Sequence, residues 1–570
     1  MSSNTFKLTF ITAAILSSTS ASAALYQVVE VTPDLTYNSD YVSAYGVAIQ
    51  SATTTGASDN CFNSSTVSGD AVTCSAYTLG GETRVTETNA GEAVDGLSFR
   101  EEAPFAMDNA FYYIQDSDDF ENYCDNQLLY STCETWASLR WNLWNKEITG
   151  DTTVNSYAFT GSSTSGTLVN STYNTVINSI DSSGDPVGIQ LTPGDVTSYR
   201  RNTVDALADD ITTSSYLQSR AWKTDGTYTV GSVSTSATNT NGTYYSSKAA
   251  MWNASAIVEL NWPSGTEVYN NSSIAQGSLR DFVIVDGTIY AVGYNSFYSN
   301  RNYMEASISK VAEGSFDTAS SWTTVGVTNA KVYTNGGTSG DHIYSNTRLT
   351  SVNSNLIAIG EAKRQGSAPS NGAAANRLFV VSDVSASSPS ATFLSDGIFF
   401  DGAGGKAGAI NNYNEIVGQI DAESTREASG KPRRKRGFIY PYNGTGTDSD
   451  RRAVFNNQGW WLDNLTNGGT YSSNNNQYRI IDATDINDAG VISATALKCE
   501  GGYDTTSYNA TCGGGSQDET TVAVKLVPIA GATSDDISER GTDDTSTERS
   551  GGSIGLWMLA VLGFLGFRRK

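Results

Sequence analysis

The sequence predicts an all-β chain, a β-propeller of about seven blades, and three observations carry that expectation. First, two close copies of one hairpin stand at residues 407–421 (AGAINNYNEIVGQID) and 483–496 (ATDINDAGVISATA). Each has a short apolar stretch, an Asn/Asp/Gly turn, then a β-branched strand ending in small residues. Such a turn needs positive φ, which Asn, Asp and Gly supply, and it is the strongest short-range hairpin signal. Second, looser copies lie upstream at residues 219–233, 279–294 and 347–362, with Asp225-Gly226 and Asp286-Gly287 as the best turns. The glycines after the second strand are Gly231, Gly293, Gly360 and Gly418, with Ser493 in that place in the last copy; the steps are 62, 67, 58 and 75 residues. Third, a further apolar strand follows: KAAMW (248–252), MEASISKV (304–311), NRLFVVS (376–382), RGFIYPY (436–442) and TVAVKLVPI (521–529). A hairpin with one or two returning strands is a small antiparallel sheet that cannot bury its apolar face alone. Repeated around an axis, it is a propeller blade. A β-sandwich or a β-solenoid is the alternative.

The repeat resembles that of the HAF-repeat extracellular proteins, whose units also read Ile-Asn-x-x-Gly-x-Val-x-Gly before an Ala-Phe strand. Ile410-Asn411 with Val417-Gly418 matches, as does Ile486-Asn487 with Gly490-Val491. The three earlier copies are degenerate. The whole chain resembles the uncharacterised surface proteins grouped as domain of unknown function 3466. That resemblance implies an address and a fold, and no catalytic residues.

Taken in order, residues 1–23 read as a secretory leader. Lys7 is its positive end, residues 8–16 its apolar core, and Ala21-Ser22-Ala23 its small-residue site, cut by signal peptidase between Ala23 and Ala24. The apolar run is too short for a spanning helix. Residues 24–530 form the repeat domain. Its first strand (25–32) would pair with the last (521–529) and remove the open edges. Residues 44–49 with 96–105 read as a first, worn repeat, and the stretch between them as an extended loop.

Residues 107–148 break the β pattern. Leu139 and Leu143, with Trp136 and Trp144, have helical spacing, and the segment reads as a small helical insertion. Trp136, Trp141 and Trp144 pack it onto the sheet in preference to binding a ligand. Residues 198–211 read as a short helix in a weakly stranded stretch. Five units fill residues 216–530 at roughly 63 residues each. Upstream, 192 residues less the 42-residue insertion leave room for two more, which makes seven. Residues 531–550 are polar and acidic with no apolar period, and are expected to be a disordered spacer.

The six cysteines fall into close pairs, Cys61/Cys74, Cys124/Cys133 and Cys499/Cys512. With an export signal this favours disulfides, each worth about 2–3 kcal/mol in the chain-entropy model. No CxxC spacing and a single histidine argue against zinc.

Residues 551–570 hold Gly551-Gly552-Ser553, an apolar run of 14 residues (554–567) and Arg568-Arg569-Lys570. At about 1.5 Å per residue the run is short for a core of about 30 Å, and the glycines extend it to a marginal transmembrane helix. Its basic end stays cytoplasmic by the positive-inside rule. The tail resembles the GlyGly-CTERM sorting signal of Gram-negative bacteria. That implies cleavage near Gly551 and Gly552 by a rhomboid-type sortase and export by type II secretion machinery. The chain is then anchored transiently in the inner membrane and ends at the cell surface or outside it. A plain C-terminal membrane anchor is the competing reading.

The net charge is −24, with 35 basic and 59 acidic residues. Such a surface stays soluble and repels nucleic acid and anionic lipid. The only basic cluster is KPRRKR, with Lys431, Arg433, Arg434, Lys435 and Arg436. It should cap a long hairpin, where it could contact a polyanion, though without interleaved aromatics for nucleic acid. No GxSxG elbow, HExxH, P-loop or dinucleotide fingerprint occurs. His342 with Ser339 and Asp341 is a candidate triad only in name, since sequence neighbours rarely supply one. Asp116, Asp118 and Asp119, and Asp448 with Asp450, could offer oxygens to Ca²⁺ but lack the Ca-loop pattern. No cofactor is expected. The functional expectation is a non-enzymatic surface propeller binding an extracellular glycan or protein. The alternatives are a secreted polysaccharide hydrolase using paired carboxylates and a structural or adhesive coat component.

Overall fold

The computed structural model describes residues 24–543 except 34–40, 53–59, 68–71, 101–113, 126–132, 209–215, 299–301, 338–339, 365–369, 426–432 and positions 89, 241, 272, 372, 374 and 375. The leader site at Ala23, the tail with Gly551 and Gly552, and Ser339 and Lys431 therefore lie outside the described residues.

Seven sheets form the body, antiparallel but for the short outer strand Thr32–Pro33 of the first, and their innermost strands are Ser43–Ile49, Asn174–Ile180, Gln218–Thr224, Gly277–Val285, His342–Val352, Gly405–Ile410 and Tyr478–Ile486. Each innermost strand packs beside the next, and the seventh packs beside the first, so the ring closes. This is the seven-bladed propeller expected, and the five hairpins read from the sequence are the inner strands of blades 3 to 7. The last blade is completed by the chain's beginning. Tyr26–Glu30 pairs antiparallel with Glu519–Pro528, Tyr26 opposite Pro528 and Glu30 opposite Val524. The strands at both ends of the repeat domain thus share one sheet, which fastens the ring.

Every innermost strand carries a β-bulge at the same level. Opposite it the second strand holds Gly81, Gly188, Gly231, Gly293, Gly360 or Gly418, and in blade 7 Ala494. The small residue in the last copy is therefore Ala494 rather than Ser493. The bulge explains the glycine. A Cβ on Gly231 would stand 1.8 Å from the Arg220 carbonyl oxygen, and one on Gly418 2.3 Å from that of Lys406. The third strand then lays an aromatic over the bare backbone: Phe159 over Gly81, Phe379 over Gly360 and Phe438 over Gly418, all fully buried. The repeat's terminal glycine and its aromatic strand are one packing unit.

The Asn of the turn has an equally specific role. Asn411 Oδ1 accepts from the backbone N–H of Tyr413 and Glu415, shaping its own turn, while Nδ2 donates to the Asn487 carbonyl of the next blade. Asn353 donates likewise to Asn411, and Asn487 to Gln50 of blade 1. A relay of buried amides therefore ties blades 5, 6, 7 and 1 along one face.

Three sequence expectations change. The first inner strand pairs with Leu79–Arg84, not with residues 96–105. Of residues 198–211, expected to form a short helix, the described 198–208 hold the strands Arg200–Arg201 and Asp205–Leu207 instead; the second completes blade 2 against Pro186–Leu191. Residues 531–543, expected to be disordered, dock on blades 6 and 7. Arg540 is 5% exposed and donates to the Asp463 and Thr506 carbonyls and to Asn476, and Asp543 accepts from Thr505 and Ser507. Ala532 and Ile537 also pack on the core, but two isolated apolar residues make no period, so the sequence does not announce the strap.

The insertion is helical as expected, with α1 (Ser117–Tyr123) and α2 (Cys133–Ile148) between the second and third strands of blade 1. All three expected disulfides form, Cys61–Cys74, Cys124–Cys133 and Cys499–Cys512. Trp144 is fully buried and Trp136 and Trp141 pack against the same core. Among the described residues no helix is long and apolar enough to cross a membrane.

Candidate functional site

The bulges aim side chains at the ring axis. An extra residue in one strand falls out of the ladder and turns its side chain off the sheet's alternation. The residues so displaced are Val47, Asn178, Trp222, Arg280, Thr350, Gly408-Ala409 and Thr484, and all line a central cavity of about 610 Å³. The residues that follow, Ser179, Lys223, Asp281, Ser351 and Asp485, line it too. Phe120, Tyr123, Trp136 and Arg140 of the insertion reach the same space. One of the three insertion tryptophans therefore has a face toward the cavity as well as toward the helix core.

Acidic groups in and behind the wall are committed to the ring itself. Asp281 of blade 4 accepts from Ser351 Oγ at 2.7 Å and the Val352 N–H at 3.0 Å, both in blade 5. Asp485 of blade 7 accepts from the Ile49 N–H of blade 1 at 3.0 Å. Glu82 accepts from Ile177 N–H at 2.9 Å, and Glu361 from Ala407 N–H at 3.1 Å. Each carboxylate thereby satisfies a buried backbone donor of the neighbouring innermost strand, which would otherwise cost free energy. Burial pushes the Asp281 and Asp485 carboxyls above their ordinary range, against the pull of Lys223. Burial works the other way on Lys223, but Asp485 and Asp281 outweigh it and hold the ammonium above its usual value.

Two arginine–tryptophan stacks face the cavity. The Arg280 guanidinium lies 3.4 Å from the Trp222 ring centroid, and that of Arg140 4.1 Å from Trp136. Arg348 pairs with Glu361 at 2.7 Å and Lys406 with Asp482 at 3.1 Å. Near blade 1, Arg84 is fully buried between Glu82 and Asp95. A cavity of this size, walled by aromatic faces and a few fixed polar groups, has the character of a small-molecule or oligosaccharide site.

The residues singled out in the sequence lie elsewhere. The basic cluster does not form a polyanion surface among its described members. Arg433 is 2% exposed and bonded to Asp421, Gly402 and Thr425; Lys435 also pairs with Asp421; Arg436 is buried against Asp463 at 2.8 Å. Only Arg434 of the described four is exposed. Asp421 and Asp463, distant in sequence from much of the run, absorb its charge. His342 opens a strand with its ring between Tyr303 and Tyr333, away from the cavity. Asp116 caps α1 and Asp448 caps the helix Ser449–Ala453, each accepting backbone N–H groups. No group of three or more His, Cys, Asp or Glu able to hold a metal occurs among the described residues. The cavity residues themselves escaped sequence reasoning, because each is a single position on a different strand. The available signal was the register: one residue too many between the inner strand's apolar pattern and the glycine opposite.

The model of a family described as a protein of unknown function, DUF3466, matches residues 210–570. No curated protein matches the chain by sequence. Among solved structures, an α-L-arabinofuranosidase from Fusarium graminearum is 9% identical, with 90% of this chain and 99% of that one covered and a TM-score of 0.30. An α-L-arabinofuranosidase from Podospora anserina is 11% identical over 53% of this chain and 88% of that one, at a TM-score of 0.20. The β-propeller domain of a trilobed protease from Pyrococcus furiosus is 7% identical over 55% and 97%, at 0.19. At such scores these likenesses carry no argument, and the propeller rests on its own seven sheets.

Proposed function

We propose, for a chain that belongs to the family of proteins of unknown function DUF3466, that it is an exported, non-enzymatic propeller whose central cavity binds an extracellular glycan. One observation carries the reading: a cavity of about 610 Å³, lined by residues of all seven blades and walled by aromatic and charged side chains from six of them, in which Asp281, Asp485 and Glu82 are each spent on a neighbour's backbone N–H. Sugars need planar faces and many donors and acceptors, which this wall supplies. A hydrolase needs carboxyls whose oxygens are open to substrate and water. Three disulfides suit an oxidising compartment. Export by the leader, and surface attachment or release through the GlyGly-type tail, complete the proposal.

The hydrolase is the second reading, and the raised Asp281 and Asp485 carboxyls in one cavity favour it. A glycan array and a reducing-sugar turnover screen on the purified exported protein part the two. Saturable binding without product supports the binding reading. Product that disappears in Asp281→Asn or Asp485→Asn, with the fold intact, replaces it with the hydrolase.

A further inference from the structure

The cavity is electrostatically lopsided, and its lopsidedness names a ligand class. Blades 3 to 6 contribute Lys223, Arg280, Arg348 and Lys406 to the lining against one acid, Asp281. That acid already accepts from Ser351 and Val352. Glu361, the partner of Arg348, does not itself line the cavity. Blades 7 and 1 with the insertion contribute Glu82, Glu92, Asp95, Asp482 and Asp485 against Arg84, Arg100 and Arg140. A cationic arc thus faces an acidic one, the two joined at the Lys406–Asp482 pair of 3.1 Å, inside a chain whose net charge is −24. The arc is fixed as well as charged. Arg280 sits on a bulge, 5% exposed, with its guanidinium over the Trp222 ring at 3.4 Å from the centroid and 5.2 Å from the Tyr294 ring centroid. A stacked guanidinium loses little freedom on binding and presents its N–H edge in a set plane, which matches a carboxylate or sulfate.

Resting on the glycan reading above, we propose that the ligand is an acidic saccharide whose anionic group is received by the Arg280 arc, with Trp222 as the positioning residue of that arginine. The sugar hydroxyls then meet the wall of blades 7 and 1, where Glu92 and Asp482, rather than the committed Glu82 and Asp485, accept hydrogen bonds, and the acidic wall rejects a second anion. The long-range field of the acidic surface opposes approach, so the charge recognition is short-range and confined to the cavity.

The test is calorimetric titration of the intact exported protein with three probes: an oligogalacturonate, the neutral galactose oligomer of equal length, and a sulfated galactose oligomer. The uronate or the sulfated probe binds at least tenfold more tightly than the neutral one, and which of them prevails identifies the anion's source. Arg280→Gln weakens the anionic probe by roughly tenfold or more, the scale of one charge-assisted hydrogen bond, and leaves the neutral probe unchanged. Trp222→Phe keeps a ring under the guanidinium and retains most of the affinity, while Trp222→Ala behaves like Arg280→Gln. Lys406→Gln, at a side chain 54% exposed, is the variant that leaves folding undisturbed and still weakens the anionic probe severalfold. Equal affinity for the neutral and anionic probes, or indifference of the anionic probe to both Arg280→Gln and Lys406→Gln, overturns the acidic-saccharide inference while the glycan reading stands. Absence of binding by all three probes removes both.

Discussion

Replacing Asn487 by Ala should loosen the ring where it closes, and the cost can be worked from the turn. Asn487 is 4% exposed. Its Oδ1 accepts from the Val491 N–H at 3.0 Å, and its Nδ2 donates to the Gln50 carbonyl of blade 1 at 2.9 Å. Alanine deletes both bonds and strands two backbone groups. At about 1–2 kcal/mol each, the substitution costs about 2–4 kcal/mol. The neighbouring motif residue gives the control. Asn412 also bridges blades, to Ser354 and Asp488, but it is partly exposed and water replaces what Asn412→Ala removes, for under about 1 kcal/mol. Urea unfolding of the protein from residue 24 onward, followed by tryptophan fluorescence, reads both variants. The reasoning fails if Asn487→Ala lies within about 0.5 kcal/mol of the parent, or if the two substitutions cost the same.

Three further predictions follow from packing and burial. Gly418→Ala forces a Cβ to 2.3 Å from the Lys406 carbonyl oxygen and 2.9 Å from the Phe438 ring, and should cost at least about 1–3 kcal/mol in urea unfolding; Ala494→Gly, at the equivalent place in blade 7, should cost about 1 kcal/mol or less. Lys525 donates to the Ser75, Tyr77 and Ser162 carbonyls across the closure between blades 7 and 1, and burial pulls its pKa down to about 8. Its unfolded value is higher, near about 10.4, so between these values the unfolded chain binds more protons. The unfolding midpoint should therefore rise with pH through that window, fall as pH drops toward 8, and lose this slope in Lys525→Met. Truncation after residue 530 removes the Arg540 contacts with Asp463, Asn476 and Thr506, and should lower the thermal midpoint measurably; an unchanged midpoint would mean the strap contributes nothing.

What could be read in advance depended on whether the determining contact was local. Blades 3 to 7 were legible because Asp225-Gly226, Asp286-Gly287 and the Asn411 and Asn487 turns write their own hairpins. The second strand of blade 1 was not, because Gly80-Gly81 within Leu79–Arg84 reads as a turn; only the Phe159 ring, far along the chain, makes Gly81 a strand residue. The basic run at Arg433–Arg436 looked exposed because its neutralising partner Asp463 stands on another element. The strap at residues 531–543 looked disordered because its apolar anchors are only Ala532 and Ile537, and Arg540 and Asp543 hold the rest by polar bonds. The cavity is the extreme case. Trp222 and Arg280 are 58 residues apart and acquire a joint meaning only when two bulges bring them to 3.4 Å.

A crystal structure of the protein grown with an oligogalacturonate tests the whole account most directly. The account predicts seven sheets closed by Tyr26–Glu30 and sugar density in the central cavity, with a carboxylate against Arg280. Sugar seated instead in the outer hollow of about 380 Å³ beside Arg377 and Phe399, or a ring of six or eight sheets, would contradict it.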